Sequence, residues 1–345
     1  MEKKILVTGA SGFIGSFLVE GGLKEGMQVW AGVRKSSSRK YLKDERIHFA
    51  ELDLTDSNKL PEQLKRHKEE HGKWDYIIHC AGVTKCIDRA DFMIGNYWAT
   101  RHFVENLIKL DMVPDNFVFI SSLSVFGPIK EYNYAPISEA DAPMPNTAYG
   151  ESKLKTEEFL MQLKNFPFVI FCPTGVYGPR EKDYFLMAKS IKNHLDFMAG
   201  FKRQDLTFVY VEDLVQAIYL AINNNMAYRK YLVSDGKVYS SRTFSDLIRR
   251  ELGNPWMIRF VCPLFLLKLI SCVAETVSKF TRKPSTLNSD KYKIMKQRNW
   301  RCDISPLEEE LGYKPQFDLE RGVKEIITWY KNCLLYTSDA ADDGE

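Results

Sequence analysis

Apolar runs of strand length alternate with amphipathic segments of helix length over the first half of the chain, as far as about Ile170. Six runs have the length and composition of strands; they are Lys4 to Val7, Gln28 to Val33, His48 to Leu52, Tyr76 to His79, Phe117 to Ser121 and Phe168 to Cys172. Between two of them, Phe103, Leu107 and Leu110 recur at helical spacing. This alternation predicts an α/β fold, a doubly wound parallel sheet covered by helices on both faces. Ligands of such sheets bind at the carboxyl ends of the strands.

The second half of the chain follows this pattern less regularly. Short strand-like runs recur at Leu206 to Val211 and Tyr231 to Val233, and no linker rich in serine, glycine or proline precedes them. We therefore predict that residues 1–175 form a Rossmann-like dinucleotide-binding part to which 205–235 return. The smaller, interleaved C-terminal substrate lobe then comprises 176–204 and 236–332. Residues 334–345 lack periodicity and turn acidic abruptly, so we expect a non-native tail there.

Charge and cysteine usage restrict the partners and the compartment. The 48 basic and 45 acidic residues nearly balance, so the chain lacks the basic footprint of a nucleic-acid-binding protein. The seven cysteines are scattered without metal-ligand spacing. We therefore expect reduced thiols, no metal site, a small-molecule substrate and a cytoplasmic location.

One later stretch, Phe260 to Ala274, is strongly apolar. Pro263 and Lys268 interrupt it, and it is shorter than the ~20 residues that span a bilayer. We expect a packed helix and no membrane span. The alternative is contact of 257–280 with a membrane surface.

A glycine-rich turn, T-G-A-S-G-F-I-G, follows the first predicted strand and leads into a helix that runs to about Lys24. Glycine lets the backbone turn tightly and approach a pyrophosphate, while the helix N-terminus offers free N–H donors. A glycine turn without a ligand is the alternative, but the strand before it and the helix after it favour dinucleotide binding. The residues expected to contact the dinucleotide here are Gly9, Ser11, Gly12, Phe13, Ile14 and Gly15.

The end of the second predicted strand bears on the choice of cofactor. An acidic residue at this position binds the ribose hydroxyls of NAD, but here Val33 stands in its place and Arg34 follows. Arginine can hold a 2′-phosphate, so we predict that NADP is preferred and NAD is possible. The alternative is that Arg34 belongs to a solvated basic loop. After the third strand, Asp53 and Leu54 are expected beside the adenine.

Tyr149 and Lys153 are four residues apart, so on a helix they share one face. A free tyrosine has a pKa of ~10, and a neighbouring cation stabilises its phenolate for proton transfer near neutral pH. Ser122, at the end of the fifth predicted strand, can hydrogen-bond the same substrate oxygen. Asn96 is a candidate for holding a relay water. The pair alone is common on solvated helices, but after a dinucleotide turn it predicts catalysis.

Several motifs occur in a characteristic order; they are T-G-A-S-G-F-I-G, Y-I-I-H-C-A-G, Asn96, S-S-L-S-V-F-G, Y-G-E-S-K, P-T-G-V-Y-G-P-R and F-V-Y-V-E-D-L. Over about residues 3–331 the chain resembles the extended short-chain dehydrogenases/reductases, the NAD-dependent epimerase/dehydratase superfamily. The resemblance implies that Ser122, Tyr149 and Lys153 are catalytic, with Tyr149 as the acid/base and Lys153 also on the nicotinamide ribose. It also implies further contacts and a homodimer formed by the helices that bear Asn96 and Tyr149. The further contacts are Ala81 and Pro173 with the cofactor, and Thr84, Ser124 and Tyr177 with the substrate.

Departures from the family pattern bear on the substrate. Leu123 and Ser124 replace the Asp-Glu pair of the 4,6-dehydratases, so we reject dehydration. Leu206 and Cys172 stand where we expect the arginine and asparagine of sugar-nucleotide epimerases, which favours a less charged substrate.

The C-terminal part, with W-R-C-D-I-S-P-L-E-E-E-L-G-Y-K-P, resembles the 3β-hydroxysteroid dehydrogenase and dihydroflavonol reductase branch, although that branch often uses NAD. The resulting hypothesis is hydride transfer between the nicotinamide and a secondary alcohol or ketone of a weakly charged, hydrophobic substrate. One alternative is a nucleotide-sugar epimerase with the same triad. Another is a non-catalytic dinucleotide-binding regulator.

Overall fold

The strands follow the apolar runs of the sequence, in a computed structural model that describes residues 2–282, 285 and 287–332. The strands are β1 (Lys4–Thr8), β2 (Gln28–Val33), β3 (His48–Glu51), β4 (Tyr76–His79), β5 (Asn116–Ile120), β6 (Phe168–Pro173), β7 (Gly175–Tyr177), β8 (Leu195–Ala199), β9 (Asp205–Leu206), β10 (Phe208–Tyr210), β11 (Arg229–Val233), β12 (Tyr239–Ser240) and β13 (Ile258–Cys262).

The helices occupy the segments between the strands and most of the C-terminal part. They are α1 (Phe13–Lys24), α2 (Lys59–His71), α3 (Arg89–Phe92), α4 (Ala99–Lys109), α5 (Ala148–Gln162), α6 (Lys182–Lys192), α7 (Val211–Asn223), α8 (Thr243–Glu251), α9 (Leu264–Thr281), α10 (Ser289–Lys296), α11 (Ser305–Leu311) and α12 (Leu319–Tyr330). A π-helical turn, Met93–Trp98, joins α3 to α4, and a 3-10 turn, Leu123–Val125, follows β5.

Seven strands form one parallel sheet in the order β11-β6-β5-β4-β1-β2-β3. From β1 the chain first builds outward to β3 and then returns to the other side of β1 with β4. This order confirms the predicted doubly wound α/β fold. It also places a crevice at the carboxyl ends of β1 and β4, where the direction of building reverses.

Helices cover both faces of the sheet, which explains why the strands are continuous apolar runs. In β1, Ile5 and Val7 pack into one core together with α1 and α7. Leu6 points to the opposite face and packs with α2 and α4. All three side chains are fully buried.

The C-terminal lobe has a separate core. Its aromatic and aliphatic members come from β7, β10, α6, α8 and α12, and they include Phe208, Phe244 and Ile326. Of the segment 205–235, α7 contacts α1 and β11 completes the main sheet, whereas β9 and β10 pair with β12 and β7 instead. The lobe therefore interleaves with the nucleotide-binding part along the chain.

The apolar stretch around Pro263 forms two elements rather than one packed helix. Pro263 separates β13 from the 18-residue helix α9, and several large apolar side chains of both elements are exposed. Among the described helices, none is both long and apolar enough to cross a bilayer. The predicted tail at 334–345 lies outside the described residues.

Candidate active site

A cavity of about 510 Å³ opens at the carboxyl ends of β1 and β4. Loops after four strands of the sheet line it, because parallel strands direct their carboxyl ends to the same edge. The structure brings together there most of the predicted cofactor residues and one predicted substrate residue. These are Gly9, Ser11, Gly12, Phe13, Ile14, Gly15, Arg34, Asp53, Leu54, Ala81 and Thr84.

The glycine turn leaves its backbone open to the cavity. Gly9 has a positive φ of 67°, and a Cβ atom there would lie 2.8 Å from the backbone of Ala81. Gly12 is the N-cap of α1 and supplies no side-chain cap, so the first-turn N–H groups are not occupied by a side chain of the cap residue. Such a turn fits the pyrophosphate of a dinucleotide, which accepts these hydrogen bonds and complements the helix dipole.

The opposite part of the cavity has the composition predicted for a ribose and adenine site. Val33 is buried at the end of β2, and Arg34 and Ser37 line the wall beyond it. The backbone N–H of Arg34 donates to Ser37 Oγ at 3.0 Å. Asp53 Oδ1 accepts a hydrogen bond from Thr55 Oγ1 at 2.7 Å, which orients the carboxylate.

Ser122, Tyr149 and Lys153 lie together behind the wall of this cavity rather than among its lining residues. Lys153 Nζ is 3.4 Å from the position of a Cβ atom on Gly82, which lines the cavity. Thr147 caps α5 by accepting a hydrogen bond from the N–H of Gly150 at 3.0 Å, which starts the helix directly before Tyr149. One turn later, Lys153 Nζ lies 5.9 Å from the centre of the Tyr149 ring and donates to the Ile120 carbonyl at 2.8 Å. A helix start and a strand end thus bring the predicted triad together.

Burial perturbs both ionisable groups of this triad. Loss of hydration raises the pKa of Tyr149 above its usual value, and a hydrogen bond with Ser122 acts in the opposite direction. Burial lowers the pKa of Lys153 to about 8, although the nearby Glu157 carboxylate acts in the opposite direction. The Lys153 charge is therefore the group near Tyr149 that can stabilise a phenolate.

A buried ion pair lies one helical turn beyond Lys153, and the sequence analysis did not identify it. Glu157 accepts hydrogen bonds from Lys230 Nζ at 2.6 Å, from Ser121 Oγ, and from Cys172 Sγ at 3.4 Å. Its side chain is only 1% exposed. The pair connects α5, β5 and β11 next to Ser122. Tyr149, Lys153 and Glu157 recur every four residues, so they share one face of α5, and this spacing could have indicated that Glu157 is buried beside Lys153.

Several predicted residues lie elsewhere than expected. Tyr177 is fully buried in the core of the C-terminal lobe, and its hydroxyl donates to the Asp318 carbonyl at 3.1 Å, so the structure does not bring it to the cavity. Pro173 is buried in β6, paired with Val233, and is not among the residues that line the cavity. Ser124 is buried and donates to Ser122 Oγ at 2.9 Å, so it supports Ser122.

Two further expectations also need correction. Cys172 faces Glu157 inside the protein, so its identity carries no information about the charge of a substrate. The amide of Asn96 is engaged on both sides: Oδ1 accepts from Val83 N at 2.7 Å, and Nδ2 donates to Ser152 Oγ at 2.9 Å. Asn96 thus joins the loop after β4 to α5, a structural role that the relay-water hypothesis did not include.

Comparison with known proteins identifies the family. The model of the NAD dependent epimerase/dehydratase family matches residues 5–234. UDP-glucose 4-epimerase of Vibrio cholerae is 28% identical over 340 residues, covering 94% of each chain. Sterol-4-alpha-carboxylate 3-dehydrogenase, decarboxylating, of Dictyostelium discoideum is 23% identical over 350 residues, which are 94% of this chain and all of that protein.

The crystal structure of UDP-glucose 4-epimerase from Thermotoga maritima with UDP-glucose has the same fold. It superposes with a TM-score of 0.75 at 21% identity, covering 95% of this chain and 99% of that one. The family model spans the whole sheet and the segments that bear Tyr149 and Lys153. The chain therefore belongs to the NAD dependent epimerase/dehydratase family, enzymes of the extended short-chain dehydrogenase/reductase type.

Proposed function

We propose that this protein is an NAD(P)-dependent oxidoreductase that interconverts a secondary alcohol and a ketone on a weakly charged, hydrophobic substrate. The convergence of Ser122, Tyr149 and Lys153 beside a dinucleotide-sized cavity supports this proposal most directly. The proposal gives each of the three side chains a separate task, as follows.

The residues around the cavity suit a nicotinamide dinucleotide. When bound, the cofactor supplies or accepts a hydride at its nicotinamide ring. The glycine turn from Gly9 to Gly15 would hold the pyrophosphate of this cofactor, and Asp53 and Leu54, which also line the cavity, would contact its adenine. Arg34 and Ser37 offer donors to a 2′-phosphate where NAD-binding sites carry an acid, which favours NADP.

Proton transfer is the task of the triad. Tyr149 gives its hydroxyl proton to the oxygen of a ketone or takes the proton of an alcohol. The Lys153 charge lowers the energy of the phenolate that results, and this is needed because burial alone opposes that state. Ser122 hydrogen-bonds the same substrate oxygen, while Ser124 holds Ser122 in place.

Two of the cations that could compensate for the missing epimerase arginine are engaged within the protein, which favours a substrate without a diphosphate. Arg180 donates to Ser16 Oγ at 2.8 Å and to Glu20 Oε1 at 2.6 Å. Arg203 forms two hydrogen bonds with Asp205, each 2.7 Å long. Both guanidinium groups thus have carboxylate partners within the protein. Leu206 packs against the core of the lobe.

A nucleotide-sugar epimerase is the second candidate. It uses the same triad, and the relative from Vibrio cholerae, with 94% of each chain covered, is named a UDP-glucose 4-epimerase. An epimerase gives no net change in nicotinamide absorbance, whereas a dehydrogenase does. Product analysis with UDP-glucose therefore separates the two candidates.

The test uses purified full-length protein with NADPH or NADP⁺ and a panel of steroid-like and flavonoid-like ketones and alcohols. We expect substrate-dependent changes in nicotinamide absorbance that Tyr149→Phe reduces by roughly 10²–10⁴-fold, while dinucleotide binding persists. Tyr76→Phe is the matched control, because it removes a hydroxyl at the amino end of β4. Conversion of UDP-glucose without net absorbance change would favour the epimerase. Turnover unchanged by Tyr149→Phe would overturn the mechanism.

A further inference from the structure

Helix α9 presents its large apolar side chains to solvent. Phe265, Leu269, Val273, Val277 and Phe280 are 76%, 61%, 56%, 54% and 92% exposed. Their spacing of four, four, four and three residues places them on one side of the helix. We call these five residues the α9 apolar face.

The side of α9 that faces the protein is less apolar than the exposed side. Leu267 and Ser271 are each 1% exposed, and Ser278 is 6% exposed. The Ser271 hydroxyl donates to the Leu267 carbonyl at 2.7 Å, a bond within the helix. A surface helix of a free globular protein has the opposite arrangement, with its apolar stripe toward the core. The α9 apolar face is therefore a surface that needs a partner.

The strand pair that precedes α9 has the same inverted arrangement. Ile258 pairs with Leu195 and Phe260 with Phe197, and all four side chains are 47% to 60% exposed. Asp196, between two of them, is 3% exposed and bonds to Arg242 at 2.7 Å. Two consecutive elements thus carry apolar groups outside and polar groups inside.

The charges of α9 identify the kind of partner. The exposed Lys268 lies on the helix, and the exposed Arg282 directly follows it. The one acidic residue of the helix, Glu275, accepts hydrogen bonds from the backbone N–H and the hydroxyl of Ser289. An apolar face accompanied by cations complements the surface of an anionic bilayer. A second copy of the same face would instead bring like charges together.

The position of α9 relates this surface to the active site. Glu275 and Ser278 line a small cavity together with Arg89 and Phe92. The Phe92 ring lies 6.2 Å from the ring of Tyr149. One side chain, Phe92, therefore lies between the cavity beside α9 and Tyr149.

We propose that α9 and the β8–β13 pair dock this protein onto an anionic membrane surface, with the helix lying in the plane of the interface. The helix is not a spanning segment, since none of the described helices meets the length and apolarity that crossing requires. Docking there lets an apolar substrate reach Tyr149 from the lipid phase, a consequence that rests on the proposed function.

The test is flotation of the full chain with vesicles of phosphatidylcholine alone or with one third phosphatidylglycerol. We expect flotation with the anionic vesicles, and at least a ~10-fold lower bound fraction for the triple variant Phe265→Ser, Leu269→Ser and Phe280→Ser. The control is Ile108→Ser with Met161→Ser, which removes two other exposed apolar side chains, 44% and 50% exposed, from α4 and α5. The control should float like the wild type.

A second variant tests the electrostatic part. Lys268→Gln with Arg282→Gln should lower binding to anionic vesicles by roughly 5–20-fold and leave the weak binding to neutral vesicles unchanged. Dinucleotide binding shows for each variant that the protein is folded. Flotation requires no turnover, so the docking proposal and the proposed function can fail separately. The proposal is overturned if the wild-type protein floats with neither kind of vesicle. It is also overturned by a dimer that the triple variant converts to monomer, because a second copy then occupies the face.

Discussion

The nucleotide-binding half and the C-terminal lobe use apolar residues in opposite ways. In β1, residues of both faces are covered by helices, and Ile5 and Leu6 are completely buried. In β13 and α9, Phe260 and Phe280 are 60% and 92% exposed. The contrast teaches that an apolar pattern specifies a covered surface without specifying what covers it. For the sheet, helices of the same chain cover the apolar side chains, whereas none of the described residues covers the outer face of the lobe.

Breaking the buried ion pair should have the largest effect on stability. Lys230→Met leaves the Glu157 carboxylate buried without a cation, and we expect a loss of about 3–5 kcal/mol in the free energy of unfolding. Urea denaturation measures this loss. The double variant Glu157→Leu, Lys230→Met should recover most of it, because neither partner of the pair then leaves its charge buried alone. Arg250→Met, which removes more exposed ion pairs, is the comparison. If Lys230→Met costs as little stability as Arg250→Met, the prediction that Glu157 is left with an uncompensated buried charge is wrong.

Removing the buried Lys153 ammonium should stabilise the protein. Burial lowers the pKa of Lys153 to about 8 from a usual value near 10.5, so at pH 7 the folded state carries a poorly hydrated charge. We expect Lys153→Met to raise the free energy of unfolding by about 1–2 kcal/mol at pH 7. This net gain already includes the loss of the hydrogen bond to Ile120, worth ~1 kcal/mol.

The pH dependence of this effect has a definite sign. Below pH 8 the folded and unfolded states both hold the Lys153 proton, so the cost of the buried charge is fully present. Between about pH 8 and 10.5 the unfolded state binds more protons, so wild-type stability rises relative to that of the variant. Urea denaturation of the wild type and of Lys153→Met, without dinucleotide, measures their difference in the free energy of unfolding at pH 7 and at pH 9.5. If Lys153→Met is less stable than the wild type at both pH values, the prediction that the buried Lys153 charge destabilises the folded state is wrong.

The smallest effect is expected on the α9 apolar face. Phe280→Ser should change the free energy of unfolding by less than about 0.5 kcal/mol, because its ring is 92% exposed. On the buried side of the same helix, Leu267→Ser should cost about 2–4 kcal/mol. Thermal and urea unfolding of the two variants compare the sides directly. Equal losses would mean that the face is covered within the protein.

The sequence predicts features whose cause is local. The glycine turn after β1 and the spacing of Tyr149 and Lys153 depend on neighbours within a few residues, and the structure places these groups at one edge of the sheet. Continuous apolar runs likewise indicated a sheet covered on both faces, which the structure confirms.

Features set by distant contacts were missed. Glu157 meets Lys230 from a strand 73 residues later, and no local spacing connects them. Tyr177 belongs to a motif that implied a substrate contact, but its ring packs in the core of the lobe. For α9 we expected a packed helix and kept contact with a membrane surface as the alternative, because helical periodicity does not say which side faces the protein.

The ion pair between Glu157 and Lys230 also constrains how the chain is made. A ribosome releases residues 1–175 well before Lys230, so this segment leaves the tunnel with its sheet lacking β11 and with Glu157 lacking its cation. We therefore expect residues 1–175 alone to be less stable than the same residues in the whole chain. The nascent chain can complete its sheet and pair Glu157 only after β11 has emerged.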